Sequence, residues 1–315
     1  MASGHARILD HVSTRLKLKQ LRLLVAVGKH GNIQNAAREM NVSQPSATKM
    51  IQDLELDFEV QLFERTNRGV VPTSFGEVLI RHGKLIFAQI SNAAQELDNL
   101  NEGSSGRIVI GTLLAASANL LPRAIKQVLA ERPRLAIKVV EGTNEVLMPE
   151  LRTGAIDLVV GRLPTHRHRN ELFQEKLFDE QVLVVVGTQH PLAQRKALSF
   201  GALKPYGWIV PPVETSLRRQ LDQYFLKQDQ YVPPFSLESV SYLTNRNLLQ
   251  TNDFIGLMPA QAAAQEIASG HLAQLDLELP FGGGPVGVTY RMQGQLSPAG
   301  EAMLQALRNA SSSIS

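Results

Sequence analysis

Three kinds of hydrophobic pattern follow one another along the chain. In the first block Leu21, Leu23, Leu24, Val25 and Val27 line one helix, and Ile33, Ala36, Ala37 and Met40 follow at i, i+3, i+4, i+7. Ala47, Met50, Ile51 and Leu54 repeat that spacing. This period predicts three amphipathic helices. Only Val42 and Ser43 separate the second from the third, and two helices so joined make a helix-turn-helix unit. The small Ala36 and Ala37 permit close approach, and Ser43 is suited to cap the third helix. QLFER and GVVPT then flank Thr66-Asn67-Arg68-Gly69 and predict a hairpin wing, with Gly69 where a positive φ is needed.

The second block runs from Ser74 to Leu100 without a proline and predicts one helix of roughly 40 Å. Leu79, Ile86, Ile90, Ala93, Leu97 and Leu100 step along it close to a heptad seam. A dimerisation helix is expected; a helix packed on its own domain has the same pattern. Residues 101–106, rich in Gly and Ser, predict a hinge. The third block, from Arg107, alternates short apolar runs with helical periods: RIVIGTL, Asn119 to Glu131, LAIKVVEG, Thr143 to Arg152 and IDLVVGR. FQEKLFDEQVLVVVG, WIV, Ser216 to Lys227, FSLES, Tyr242 to Gln250, DFIGLMP, PVGVTYRM and Ser297 to Ala310 continue it. Such alternation predicts parallel sheets covered on both faces, here as two Rossmann-like lobes with a chain that crosses over and returns.

Once the apolar positions of the third helix turn inward, Gln44, Pro45, Ser46, Thr48, Lys49 and Gln52 remain outside. A helix fits the major groove of double-stranded DNA, where Gln, Ser, Thr and Lys read base edges and Pro45 can touch a thymine methyl. Lys17, Lys19 and Arg22 before it, and Arg65 and Arg68 on the wing, are placed for phosphate contacts. A solvated face on a three-helix fragment would look the same in the helices alone; the wing and basic flanks favour DNA.

Charge sharpens this. Net charge is only +3 over 315 residues. Residues 1–73 hold ten Lys/Arg and seven Asp/Glu, so the whole excess lies at the DNA-binding end and the remainder is neutral. Hydrophobic content of 43% supports substantial cores. No run approaches the roughly 18 apolar residues of a membrane span, and the first residues lack the apolar core of a secretory signal. There is no cysteine, hence no disulfide and no thiol-based metal site. A cytoplasmic protein is expected.

Taken together, LKLKQLRLLVAVGKHGNIQNAA, VSQPSATKMIQDLE and LFERTNRGVVPTSFGE resemble the winged helix-turn-helix of the LysR-type transcriptional regulators. The SFGEVLIRH tail and LKLKQLRLL start are similar to the branch regulating protocatechuate catabolism and sugar-binding-protein operons. The resemblance implies an α/β fold with an N-terminal winged helix-turn-helix, a long linker helix and two lobes resembling periplasmic binding proteins. It divides the chain into an extension (1–16), a DNA-binding domain (17–73), a linker helix (74–100), a hinge (101–106) and an effector domain (107–315). It also implies a homotetramer on an interrupted palindrome, contact with RNA polymerase, and an organic acid or sugar as effector. One departure stands out: the family has Leu-Gly where this chain has Phe58-Glu59. A glycine there closes the helix in the left-handed conformation, which costs another residue on the order of 1 kcal/mol, so a different helix end is expected.

In open α/β sheets ligands sit beyond the carboxyl ends of the strands, at the switch point. That rule selects Ser117, Thr143, Asn144 and Arg162 from one lobe and Thr215 and Ser216 from the other as polar contacts to a small anionic metabolite. Each Ser or Thr could instead be a helix cap, and Arg162 a surface ion pair. His166 and His168 read as an exposed loop rather than a metal site. Gly282-Gly283-Gly284 lacks the Lys-Ser/Thr of a phosphate loop and reads as a crossover linker. No nucleophile-elbow motif and no cofactor signature is present. The rival reading is a two-lobed solute-binding or enzymatic α/β protein with an N-terminal dimerisation module.

Overall fold

The computed structural model describes residues 15–102, 106–164, 171–227, 235–292 and 296–314. Two compact units divide at Ala93–Ala94. The first holds α1 (Leu18–His30), α2 (Ile33–Glu39), α3 (Gln44–Phe58), β1 (Phe63–Thr66) and β2 (Gly69–Pro72). Leu21, Leu24, Val27, Ala36, Ala37, Ala47, Ile51 and Leu54 form its core, closed by Leu62, Phe63 and Val70 from the wing. Gly31 ends α1 in the left-handed conformation at φ 60°. The Asn32 side chain starts α2 by accepting from the N–H groups of Gln34 and Asn35, and Ser43 Oγ starts α3 by accepting from Ser46 N–H at 3.3 Å.

The end of α3 corrects an expectation. Glu59 adopts φ 55°, ψ 31°, and its N–H donates back to the carbonyls of Glu55 and Leu56. The helix therefore closes as a glycine would close it, with the steric cost carried by Glu59. The wing behind it pairs antiparallel, Phe63 opposite Pro72 and Thr66 opposite Gly69.

α4 (Ser74–Glu102) begins on Thr73, whose hydroxyl accepts from Gly76 N–H at 3.1 Å and donates to the Gln61 carbonyl at 2.7 Å. Leu79, Ile80 and Phe87 pack on the core of the first unit, so Leu79 does not belong to a free seam. Ile86, Ile90, Ala93 and Leu97 are exposed. The side chain of Leu100 lies outside the described residues.

Among the described residues the second unit contains two five-stranded sheets. β3 (Arg107–Thr112), β4 (Ala136–Glu141), β5 (Leu158–Arg162), β6 (Leu172–Glu180) and β12 (Gly284–Arg291) lie in the order β4-β3-β5-β12-β6. β7 (Val182–Gly187), β8 (Gly207–Val210), β9 (Phe235–Glu238), β10 (Phe254–Pro259) and β11 (Leu272–Gln274) lie in the order β11-β7-β10-β8-β9. These sheets are mixed, which corrects the all-parallel expectation. β3 runs parallel to β4 and β5, but β12 runs antiparallel to β5 and β6; β7 runs antiparallel to β10. The crossing strands arrive from the other lobe instead of through a helical crossover, so they are free to enter in the opposite sense.

The apolar run predicted as one stretch is cut at Gln181, with β6 in one lobe and β7 in the other. The return crossing enters β12 through Gly282 and Gly283, as the crossover reading had it. Helices α5 (Leu114–Ser117), α6 (Leu120–Glu131), α7 (Asn144–Arg152) and α11 (Pro298–Ser311) accompany the first sheet, and α8 (Ser216–Lys227), α9 (Tyr242–Thr251) and α10 (Ala260–Ala268) the second. Ile108, Ile110, Leu158, Val160, Val286, Met303 and Leu307 fill one core. In the other lobe Val184 and Val186 face Trp208, Leu221 and Phe225, while Val185 faces Ile209, Leu249 and Met258. Strands buried on both faces read as continuous apolar runs, which is why LVVG and VLVVVG lack alternation.

Candidate nucleic-acid interface and ligand cleft

On α3 the apolar stripe Ala47, Ile51 and Leu54 is buried, and Gln44, Pro45, Ser46, Lys49 and Gln52 are exposed, with Thr48 half-buried beside them. Among the described residues none of these polar side chains has a hydrogen-bond partner, so water satisfies them. The helix is held from behind. Glu55 accepts from the N–H groups of Leu62 at 2.8 Å and Phe63 at 3.3 Å, tying α3 to the wing. The wing is tied in turn to the end of α1, where Val70 N–H donates to the Gly31 carbonyl at 2.8 Å. Gly69, at φ +136°, lies so close to that carbonyl that a Cβ would collide with it. Arg65, Arg68, Lys17 and Lys19 are exposed. Arg22 is also exposed, with its guanidinium carbon 5.9 Å from the Phe87 ring centroid, an orientation that the ring's negative face favours. Glu39, the one acid between Lys17 and Lys49, is taken up by Lys29 at 2.8 Å and His30 at 2.7 Å. Those hydrogen bonds, Lys29's first, hold its carboxyl below the usual range.

The two lobes of the second unit enclose a cleft of about 380 Å³. Thr143, Asn144, Arg162, Thr215 and Ser216 all line it. Ser117 does not: it sits in α5 and its hydroxyl donates to the Leu114 carbonyl at 3.3 Å. That short helix follows β3 directly and carries Ser117, its last residue, away from the strand ends. Thr215 is partly a cap, accepting from Arg218 N–H and donating to the Pro212 carbonyl. Asn245, Arg219, Ser241, Glu141 and Glu145 line the cleft too and were not singled out from sequence. Asn245 follows the Ser241 cap of α9, the one local signal that could have found it.

Arg162 is set apart by what it lacks. Among the described residues its buried Nη2 has no hydrogen-bond partner. Arg218, by contrast, pairs with Asp222 at 3.0 Å and Glu238 at 2.9 Å. Burial pulls the Arg162 guanidinium below its ordinary value, and the Glu180 carboxylate pushes it back up. The topology explains that influence. In the order β5-β12-β6, Arg162 stands opposite Val286, and Gly284 stands opposite Glu180. A Cβ on Gly284 would lie 2.9 Å from Arg162 Nη1, so the absent side chain leaves the arginine room over the middle strand. Glu180, buried, accepts from Gln261 N–H at the start of α10 at 2.8 Å. Burial pushes its carboxyl up, with the Gln261 N–H and Arg162 opposing. Asn119 Nδ2 donates to Gln261 Oε1 at 2.7 Å, a further link between the lobes.

Among the described residues no cluster of His, Asp or Glu could hold a metal ion. His166 and His168 lie outside the described residues. No described helix is long and apolar enough to cross a membrane.

A winged helix-turn-helix joined to a two-lobed unit with a ligand cleft defines a ligand-responsive DNA-binding regulator. The comparisons give the family. The family model "LysR substrate binding domain" matches residues 101–312, and "Bacterial regulatory helix-turn-helix protein, lysR family" matches residues 18–77. The regulator GbpR of Azospirillum brasilense is 32% identical over 302 residues, covering 95% of this chain and 88% of its own. PcaQ of Agrobacterium fabrum is 31% identical over 303 residues, covering 96% and 97%. Among solved structures, an OxyR mutant from Corynebacterium glutamicum is 26% identical with a TM-score of 0.56, covering 95% of this chain and 92% of its own. CbnR complexed with its target DNA, at 19% identity and a TM-score of 0.64, shares the fold over 94% of this chain and all of its own. The chain belongs to the LysR family of transcriptional regulators, DNA-binding proteins with an effector-binding domain.

Proposed function

We propose that α3 reads an interrupted palindrome through Gln44, Pro45, Ser46, Thr48, Lys49 and Gln52, while Lys17, Lys19, Arg22, Arg65 and Arg68 hold the phosphates. The exposed stripe of Ile86, Ile90, Ala93 and Leu97 on α4 supports a homo-oligomer in which linker helices pair, within a tetramer that contacts RNA polymerase. A small anionic metabolite in the cleft switches it, held by Arg162, Thr143, Asn144, Thr215 and Ser216. The protein is a cytoplasmic regulator and not an enzyme. The single observation that carries the DNA reading is the N-terminal outer face of α3, where Gln44, Pro45, Ser46, Lys49 and Gln52 stand exposed with no apolar residue larger than Pro45 ahead of the exposed Leu56. CbnR, with the same fold, has been solved on its target DNA, which supports the same use of this helix.

The test is recovery of fragmented genomic DNA by the full-length protein at near-physiological salt, with Lys49→Ala alongside. One or a few loci sharing an interrupted palindrome, lost with Lys49→Ala, support the reading. Uniform recovery by both proteins, or none, removes it.

A further inference from the structure

Among the described residues, three that line the cleft carry buried polar atoms without a partner: Arg162 Nη2, Asn144 Oδ1 and Asn245 Oδ1. The other such atoms, His190 Nε2, Trp208 Nε1 and Arg246 Nε, belong to residues elsewhere, and Arg246 Nε has the Glu266 carboxylate at 2.7 Å. Its partnerless atoms are thus one cationic donor and two neutral acceptors. The amide orientations follow from their other ends: Asn144 Nδ2 donates to the Arg162 carbonyl at 3.3 Å, and Asn245 Nδ2 donates to the Ser239 carbonyl at 3.4 Å. In each amide the nitrogen is used and the oxygen is left. Asn144 belongs to one lobe and Asn245 to the other. Buried polar groups are nearly always paired, so three orphans around one cavity mark groups held for a ligand.

We propose that this cleft takes a hydroxylated monocarboxylate, its carboxylate on Arg162 and its hydroxyls donating to Asn144 on one lobe and Asn245 on the other. The proposal rests on the reading of the cleft as the effector site and adds the chemical class. A guanidinium with a free donor calls for a carboxylate. An amide oxygen with a free lone pair calls for a donor, and a neutral amide suits a hydroxyl; a buried ammonium would call for a carboxylate partner. The other cation in the wall, Arg219, is engaged by the Glu214 carbonyl, and Glu141 and Glu145 oppose a second carboxylate on the ligand. Leu113, Ile209, Val210 and Leu257 offer contact for a carbon skeleton. The volume lies at the low end of ligand pockets, which run from about 300 to 1,000 Å³, and so favours one small acid. Because water does not reach the three atoms, the ligand groups enter as the lobes part and become their partners as the lobes close.

Titration calorimetry of the full-length protein with matched probes tests this. The probes are gluconate and 3-hydroxybenzoate, the stripped acids hexanoate and benzoate, the uncharged sorbitol and phenol, and succinate and serine. At least one hydroxylated monocarboxylate binds about tenfold or more tighter than its stripped partner, the weight of one well-made polar contact. Asn245→Ala closes that gap and leaves the stripped acid's affinity unchanged; Asn144→Ala, on the opposite lobe, repeats the test if the first variant fails to fold. Equal binding of stripped and hydroxylated acids, preference for succinate or serine, or no binding by any hydroxylated acid overturns the class. Binding that survives Arg162→Gln undiminished overturns the reading of the cleft itself, a separate outcome.

Discussion

Among the described residues, Gln44, Ser46, Lys49 and Gln52 on α3 stand in water without protein partners, while in the cleft Arg162, Asn144 and Asn245 hold atoms without partners where water does not reach. The two regions bind by opposite economies. The recognition face loses nothing while it waits, because solvent hydrogen-bonds every group and the DNA later replaces that solvent. Each orphan in the cleft costs about 1–3 kcal/mol while unpaired, so the effector unit is held in a state that the right ligand relieves. A surface of the first kind tolerates substitution in stability and not in specificity. A cleft of the second kind couples its occupancy to the stability and closure of the whole unit.

The largest expected effect lies on the recognition face. Lys49→Ala or Gln44→Ala lowers affinity for the specific site by roughly tenfold to a hundredfold, the worth of one base contact of about 1–3 kcal/mol. Thermal stability is unchanged. A fluorescence anisotropy titration against specific and scrambled duplexes checks this, and an equal loss on both duplexes would reassign the residue to phosphate contact. Next comes Arg162→Gln, which abolishes the response to the cleft ligand while ligand-free DNA binding persists. If the variant loses DNA binding too, the two regions are not separable as described.

Glu59→Gly is smaller and of opposite sign. It stabilises the first unit by about 1 kcal/mol, because glycine accepts φ 55° without the clash that Glu59 carries. Urea unfolding followed by helix signal reads it; a destabilised variant would show that the Glu59 side chain makes a compensating contact. The smallest effect is Glu175→Gln. The carboxylate takes two hydrogen bonds of 2.7 Å from Arg308, which hold its carboxyl below the usual range. A folded value below the unfolded one contributes stability that is present above the ordinary glutamate range and lost as pH falls through the folded value. The pair is partly exposed, so the variant loses at most about 1 kcal/mol at neutral pH. The difference from the parent disappears in acid; a difference that persisted there would assign it to packing.

Sequence made the two regions legible to different degrees. The helix-turn-helix was readable because all of its signals are local: the period of Ala47, Ile51 and Leu54 fixes which side chains of α3 face out, and Ser43 fixes where it begins. The left-handed closure at Glu59 was not readable from the residue itself, which disfavours that conformation; it is carried by the bonds from its N–H to the Glu55 and Leu56 carbonyls. The cleft was found only through the rule that ligands gather at strand ends. That rule caught Thr143, Asn144 and Arg162 and misplaced Ser117, because an unpredicted turn of helix follows β3. Asn245 and Glu180 escaped it. Asn245 lies inside a helix on the far lobe, and Glu180 acts across Gly284 through a strand order that depends on the second crossing. Mixed rather than parallel sheets follow from the same two crossings, which no local period encodes.

The central claim is that the Arg162 charge is kept for a ligand and not for the fold. The direct measurement is a double-mutant cycle of denaturant unfolding with Arg162→Met, Glu180→Gln and both, read by the fluorescence of Trp208, the sole tryptophan and a buried residue of the second unit. Arg162→Met removes a buried cation whose Nη2 has no partner among the described residues, and it leaves stability at or above that of the parent; Glu180→Gln leaves that cation without its neighbouring carboxylate and loses about 1–3 kcal/mol, which Arg162→Met restores in the double variant. An Arg162→Met variant that by itself loses about 1–3 kcal/mol would contradict the account, making the arginine a support of the structure.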